Sequence, residues 1–428
     1  MALPKIREFE YPVIDADLHI LEGPEIFENF LEPKYQDQLK ALPGPWADTG
    51  SEDLAVNESA FALFSRGESI TTIGRFKQNR GYTYRMHMES EDAWQSNLAD
   101  TDYIFPGSID PRVRLWCMDQ EGIDAGIVRN TLAAGVCSFD DPELTDAVCR
   151  AYNTWVHDFC STDPNRLYAE ALLPLDNIDN AIRELERCAA MGFKSMVVPG
   201  STASPRGALS DPYLDPIWAR VQELGWPVCV HATFNASLNS SSQFLLSPQN
   251  MLSHSGSAYF SMFINLNFML DNIVTLGEIT LGGMCDKFPN LNIYFIEAGH
   301  SWVGEVLYRL DKIFACPVSD DFMPHHPLAA TTKPSEIFER QIYVPFEGGD
   351  QHYMSDMSFN ALSKNLIWAS DIPHWDADGP WEGVGAMRAL KVDPKAEALI
   401  MGGNIARMMN VPYEKRVGTS VNAVPAGV

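Results

Sequence analysis

Short apolar runs alternate with helix-period stretches along most of this chain. The strand candidates are 11–20 (YPVIDADLHI), 122–131, 166–175, 195–200, 227–234, 292–300, 341–347 and 365–374. Between them lie helical patterns at 142–162, 176–191, 212–224, 256–287, 301–315 and 394–409. In the first of these, Leu144, Val148, Tyr152 and Trp155 share one face. Repeated strand–helix units imply a parallel sheet, since each crossover helix returns the chain to start the next strand alongside the last. Eight such units favour closure into a barrel. An open dinucleotide-binding sheet would carry a G-x-G-x-x-G turn after its first strand, and none is present. The predicted fold is therefore α/β, a (β/α)8 TIM barrel with a long insertion after strand one.

Two stretches interrupt the rhythm. Residues 23–110 separate the first and second strands and are too long for a simple loop. Residues 235–257 form a polar segment directly after the fifth strand. Both follow carboxyl ends of strands, where barrels place their active sites, so both are read as active-site cover. The expected organisation is a single domain over 1–413, with a tail at 414–428 that lacks a periodic pattern.

Composition narrows the function classes. The chain has 428 residues, 46% of them hydrophobic, and a net charge of −26 without any Lys/Arg-rich block. That excludes a nucleic-acid partner and an anionic membrane surface. No apolar run is long enough to span a bilayer. The eight cysteines form no C-x-x-C pair, and the N-terminal stretch lacks an apolar signal segment. They are read as buried thiols of a cytoplasmic protein. A homo-oligomer acting on a small-molecule substrate is expected.

Candidate chemistry gathers at strand ends. Asp15, Asp17 and His19 alternate onto one face of the first strand. Two carboxylates and an imidazole facing an apolar interior carry a desolvation cost that a metal ion relieves. Asp17 and His19 lie nearest the carboxyl end. The same D-x-H pattern also describes a hydrogen-bonded Asp–His pair. His231 closes the fifth apolar run and Asp371 the eighth, while Glu297 and His300 follow the sixth. Alone, each has an ordinary structural explanation: a core histidine, a helix cap, a solvated carboxylate. Together they end strands that a closed barrel would bring to one rim. His254 lies in the long polar loop as a candidate acid or base. His374 follows Asp371 by three residues, in a turn containing Pro373. Glu22 and Asp15 are expected to support the ligands from behind. Arg112, Phe234, Trp302 and Trp375 are candidate substrate contacts.

Five stretches carry a family resemblance: VIDADLHILEGPE, IDPRVRLWCMDQEGID, NRLYAEALLPLDNIDNAIRELERCAAMGFKSMVV, FPNLNIYFIEAGHSWVGEVLYRLDK, and LIWASDIPHWD with the closing IMGGNIARMM. The sequence resembles the amidohydrolase superfamily, in the amidohydrolase-related branch that includes aminocarboxymuconate-semialdehyde and resorcylate decarboxylases. The resemblance implies metal positions at Asp17 and His19, His231 and Asp371. It also implies that Asp371 acts as acid or base. Relatives often carry Ser-His-Gly-Gly-Gly on strand six. Here Ala298 stands where that histidine is expected, with Glu297 before it and His300 after it.

A site of Asp, two His and Asp with an open position suits a hard or borderline divalent ion such as Zn, Mn or Fe, one or two per chain. Such an ion serves a hydrolase or a non-oxidative decarboxylase acting on a small cyclic or aromatic carbonyl or carboxylate compound. With Glu22, Glu297 and His300 added, the donors would also suit a diiron monooxygenase. A metal-free binding module is the non-enzymatic alternative.

Overall fold

The computed structural model describes residues 8–20, 22, 26, 29–40, 106–131, 141–201, 207–231, 262–316, 329–348, 356–374 and 377–417. All eight expected strands are present: β1 Ile14–His19, β2 Ala125–Arg129, β3 Leu167–Leu172, β4 Ser195–Pro199, β5 Val228–His231, β6 Ile293–Phe295, β7 Ile342–Phe346 and β8 Leu366–Trp368. They form one sheet in sequential order, with each neighbouring pair parallel. The last strand returns to the first through a parallel bridge between Leu18 and Ile372. Two backbone bonds complete that seam: His19 N to Ile372 O at 2.9 Å and Asp371 N to Asp17 O at 3.1 Å. The result is a (β/α)8 barrel.

Every residue of these strands is buried, because one face meets the barrel interior and the other the surrounding helices. The helices start at clear signals. Asp110, Asp141 and Asp393 each precede a proline and accept a hydrogen bond from an amide of the first turn. The carboxylate satisfies an orphan amide there, and proline pre-sets φ where no N–H is required. Gly192 ends the helix Ile178–Met191 at φ 94°, a left-handed stop that leads directly into β4.

The structure differs from the sequence expectation in several elements. The stretch 256–287 is not one helix. A π-helical turn at Phe263–Asn267 leads into Phe268–Leu281, and Gly282 and Gly283 separate that from Met284–Lys287. The 394–409 pattern likewise breaks at a π turn, Leu399–Gly403. There a Cβ on Gly402 would lie 2.7 Å from the Pro12 carbonyl, so glycine lets this helix press against the start of β1. Helices at Pro111–Glu121, Pro334–Gln341 and Pro380–Ala389 have no counterpart in the periodicity reading. In the first, Arg114, Asp119 and Glu121 are buried beside Leu115 and Trp116, so polarity does not mark its faces.

Among the described residues, seven cysteines are unpaired; six are buried and Cys316 is exposed, against the expectation that all are buried. No helix among them is long and apolar enough to cross a membrane. The 23–110 insertion lies largely outside the described residues, and 235–257 wholly so.

Candidate metal centre

Six side chains meet at the carboxyl-end rim. His19 Nε2 lies 3.2 Å from Asp17 Oδ1, 3.4 Å from Asp371 Oδ1 and 3.6 Å from Glu297 Oε1. It is 3.3 Å from His231 Nε2, which is itself 3.4 Å from Glu297 Oε1. His374 Nδ1 bonds Asp371 Oδ1 at 2.6 Å and stands 3.8 Å from Glu297 Oε1. These groups form two overlapping sets of four: Asp17, His19, His231 and Glu297, then His19, Glu297, Asp371 and His374. Within each set the potential ligand atoms lie within 4.8 Å of one another.

Backbone conformation aims two of the carboxylates. Glu297 has φ 57° and Asp371 φ 61°, both in the left-handed region and both just beyond a strand end. That region costs a non-glycine residue on the order of 1 kcal/mol or more, and such outliers cluster at functional sites. Trp302, buried against the β6 turn, donates its indole N–H to the Ala298 and Gly299 carbonyls and so braces the segment carrying Glu297.

The residues behind the rim set the imidazole tautomer. Thr131 Oγ1 donates its proton to Ile20 O at 2.7 Å, so toward His19 Nδ1, 3.1 Å away, it can only accept. Nδ1 therefore carries the proton, and Nε2 turns its lone pair to the cluster. Glu22 fixes Thr131 in turn, with both carboxylate oxygens accepting from the Thr131 amide at 3.1 and 3.3 Å. Asp15 Oδ1 accepts from Asp17 N at 2.9 Å and Ser370 N at 3.0 Å, tying β1 to the end of β8. Burial pushes the Asp15 carboxyl up to about 7. Arg114, also buried, donates to the His19 carbonyl and to Gly107 O.

Beneath the cluster, the barrel interior holds a second polar layer. Arg129 Nε lies 2.9 Å from Asp17 Oδ1, and the same guanidinium reaches Ala16 O at 2.6 Å and Glu170 Oε2 at 3.5 Å. Tyr294 donates to Glu170. Both Arg129 and Glu170 are fully buried, so each charge depends on the other.

The arrangement fits a divalent cation. Both oxygens of buried Asp17 lack a hydrogen-bond donor of good geometry, and the Arg129 contact is an ion pair without a hydrogen-bonding angle. An ion held tetrahedrally at about 2.0–2.1 Å separates its ligand atoms by about 3.3–3.4 Å. The observed separations within the first set that are quoted above run from 3.2 to 3.6 Å. The titration of the cluster agrees. Burial opposes a charge on Glu297, yet the facing His231 and His19 imidazoles hold its carboxyl well below the usual range. Burial likewise opposes protonation of His231, but Glu297 raises its affinity for a proton. The centre of the cluster thus favours positive charge.

Of the candidates from sequence, Asp17, His19, His231, Glu297 and Asp371 come together here, with Glu22 and Asp15 directly behind them. His300 does not join them. Its ring is buried edge-on to Phe346 and Phe359, with centroids 6.1 and 4.8 Å away, and neither ring nitrogen has a hydrogen-bond partner. The left-handed turn at Glu297 sends that side chain to the rim and carries His300 behind it. Arg112 is exposed and paired with Asp110 at 2.8 Å, away from the cluster. His254, Phe234 and Trp375 lie outside the described residues. The sequence places His374 near Asp371 without assigning it a role, and it gives no role to Thr131, Arg129, Glu170 or Arg114. The first had a signal, a histidine three residues after a strand-terminal aspartate. The rest read as ordinary positions within or beside apolar runs.

Known proteins resemble this chain in sequence and in fold. The model of the amidohydrolase family matches residues 14–411. Gamma-resorcylate decarboxylase of Rhodococcus jostii is 25% identical over 274 residues, covering 61% of this chain and 76% of the relative. The enzyme of the same name from Rhizobium radiobacter is 27% identical over 209 residues, 46% of this chain and 58% of that protein. A crystal structure of 5-carboxyvanillate decarboxylase from Novosphingobium aromaticivorans, complexed with manganese and 4-hydroxy-3-methoxy-5-nitrobenzoic acid, shares the fold. Its TM-score is 0.63 at 19% identity, over 95% of this chain and 99% of that one.

Proposed function

Because this chain belongs to the amidohydrolase family, we propose that it is a metal-dependent enzyme catalysing non-oxidative decarboxylation of an aromatic carboxylate that bears a neighbouring oxygen. The observation that carries the reading is the Asp371–His374 pair, joined at 2.6 Å and facing the cluster from its solvent side. Decarboxylation needs a proton source beside the place where the carboxylate is held, and this pair is one.

Asp17, His19, His231 and Glu297 would hold a divalent first-row ion, and their mixed set of two carboxylates and two imidazoles admits manganese. Such an ion supplies positive charge to the substrate's carboxylate and adjacent oxygen. The bond between ring carbon and carboxylate carbon breaks, carbon dioxide leaves, and the bonding pair remains on the ring carbon. That carbon takes one proton. Asp371 Oδ1 and His374 Nδ1 lie 2.6 Å apart at the edge of the cluster, close enough to pass a proton between them, and His374 is 24% exposed, so solvent reaches the pair. Thr131 would accept the His19 Nδ1 proton and leave Nε2 to face the ion, with Glu22 anchoring the Thr131 backbone.

Purified protein loaded with Mn2+ is to be assayed for carbon dioxide release from hydroxybenzoates, methoxy-hydroxybenzoates and unsubstituted benzoate, with parallel amide, ester and lactone substrates. The expected result is carbon dioxide from an ortho-oxygenated benzoate, with one deuterium placed at the vacated carbon in D2O. Hydrolysis of an amide, ester or lactone without any carbon dioxide release overturns the reading.

A further inference from the structure

We propose that Asn272, on the helix that follows β5 in the chain, is a positioning residue whose side-chain amide fixes the backbone turn at Glu297. Asn272 is fully buried in the helix Phe268–Leu281 and donates Nδ2 to the Ile296 carbonyl at 2.9 Å. Ile296 directly precedes Glu297, and its own amide donates to Val230 O at 3.2 Å. β5 ends one residue later, at His231. Ile296 is thus held at its amide by the residue before His231 and at its carbonyl by the helix. The two side chains that follow these anchors, His231 and Glu297, face each other at 3.4 Å.

The carbonyl matters because of the backbone after it. The φ angle of Glu297 is a rotation relative to the Ile296–Glu297 peptide plane. At 57° it lies where a residue with a side chain persists only if its surroundings over-determine it. Asn272 grips the segment before Glu297, and the Trp302 indole grips it after, through the Ala298 and Gly299 carbonyls. A buried carbonyl stripped of its donor turns toward another partner. The peptide plane would rotate with it and take Glu297 Oε1 away from His231 and His19.

Other polar groups of the same helix serve a different segment. Thr275 Oγ1 accepts from Ser201 N at 2.8 Å. Glu278 accepts from Ser201 Oγ at 2.8 Å, Leu209 N at 3.2 Å and Ser210 N at 3.0 Å. These bonds run to the chain after β4, so Thr275 reports on attachment of the helix and Asn272 on placement of Glu297.

The inference rests on the reading of Glu297 as a ligand in the proposed metal-dependent enzyme. Metal-depleted wild type, Asn272→Leu and Thr275→Val are titrated with Mn2+ while free Mn2+ is followed by electron paramagnetic resonance. Leucine is close to asparagine in size and removes the donor. Asn272→Leu should bind Mn2+ about 10–100-fold more weakly, the usual loss for a partner that orients a ligand from behind, while Thr275→Val binds as wild type does. Wild-type affinity in Asn272→Leu, or an equal loss in Thr275→Val, overturns the positioning role. Asn272→Asp keeps the shape and turns an oxygen toward the Ile296 carbonyl; it replaces the leucine variant if that one does not fold, with the same loss expected. The metal-free crystal structure of the variant is the second readout. Glu297 should leave the left-handed region, and an unchanged φ near 57° overturns the role whatever the metal does. A displaced Glu297, in a protein whose wild type binds no Mn2+, overturns the metal reading and leaves Asn272 as the residue that sets the turn. Weakened Mn2+ binding in Asn272→Leu, with no carbon dioxide released by wild type from any substrate, overturns the decarboxylase reading alone.

Discussion

The Asp371 amide donates to the Asp17 carbonyl at 3.1 Å, so the bond that closes the barrel seam also joins two of the carboxylates of the cluster. Barrel closure and site assembly are one event. The contact uses backbone atoms, which leaves both side chains available. Asp371→Asn should therefore keep the fold and lose turnover. We expect kcat to fall by about 10²–10⁴, the usual range for a positioned acid or base. Steady-state rates and circular dichroism of the variant check this. Wild-type kcat in the folded variant would remove Asp371 from the chemistry.

Thr131 tests the tautomer relay. Thr131→Val keeps the shape and removes the oxygen that accepts from His19 Nδ1. Metal affinity should drop about 10–100-fold, as for other partners that orient a ligand from behind, while Thr131→Ser should restore it. Competitive titration against a metal-sensitive chelator reads the difference. Equal affinity in the valine and serine variants would sink the relay.

His231→Ala should release most of the tightly bound metal without unfolding the barrel. β5 packs through Val228, Cys229 and Val230, all buried, and only the ligand is lost. Metal content after desalting, together with the thermal midpoint of the metal-free protein, separates the two effects. Retained metal would show that His231 is not a ligand.

Arg129→Met removes a buried cation from between Asp17 and Glu170. Leaving buried carboxylates unpaired should cost about 3–5 kcal/mol of stability. Adding Glu170→Gln should recover part of that loss, because one of the two stranded charges disappears. Denaturant midpoints of the single and double variants measure it; a single variant as stable as wild type is the contrary outcome.

His300 makes stability pH-dependent. Burial lowers its imidazole from 6.5 to about 4. The folded state therefore resists protonation while the unfolded chain accepts it. Stability from this residue is complete above the unfolded value near 6.5 and is lost as pH falls toward the folded value near 4. The full loss is about 3 kcal/mol, since one unit corresponds to about 1.4 kcal/mol. His300→Phe should flatten the stability profile across that window in urea unfolding. An unchanged slope would place the acid sensitivity elsewhere.

Much of the fold was legible because strand-period and helix-period patterning is local. Each apolar run from 11–20 to 365–374 holds a strand of the barrel, and the helix-period patterns at 142–162, 176–191, 212–224 and 301–315 hold helices. Eight parallel units leave few topologies, so strand-terminal Asp17, His19, His231 and Asp371 could be assigned to one rim before any coordinates. What patterning does not encode is direction. Glu297 and His300 are three residues apart, and the left-handed backbone at Glu297 and again at Gly299 decides that the carboxylate enters the cluster while the imidazole packs against Phe346 and Phe359. His374, Thr131 and Arg129 depend on distances across the barrel between residues far apart in the chain. Arg129 ends an apolar run, where a sequence shows a charge but not the Asp17 and Glu170 carboxylates that compensate it. Composition and period determined which elements form; only closure of the sheet decided which polar groups share the same dry interior, because a buried charge is tolerated solely where its partners arrive from other strands.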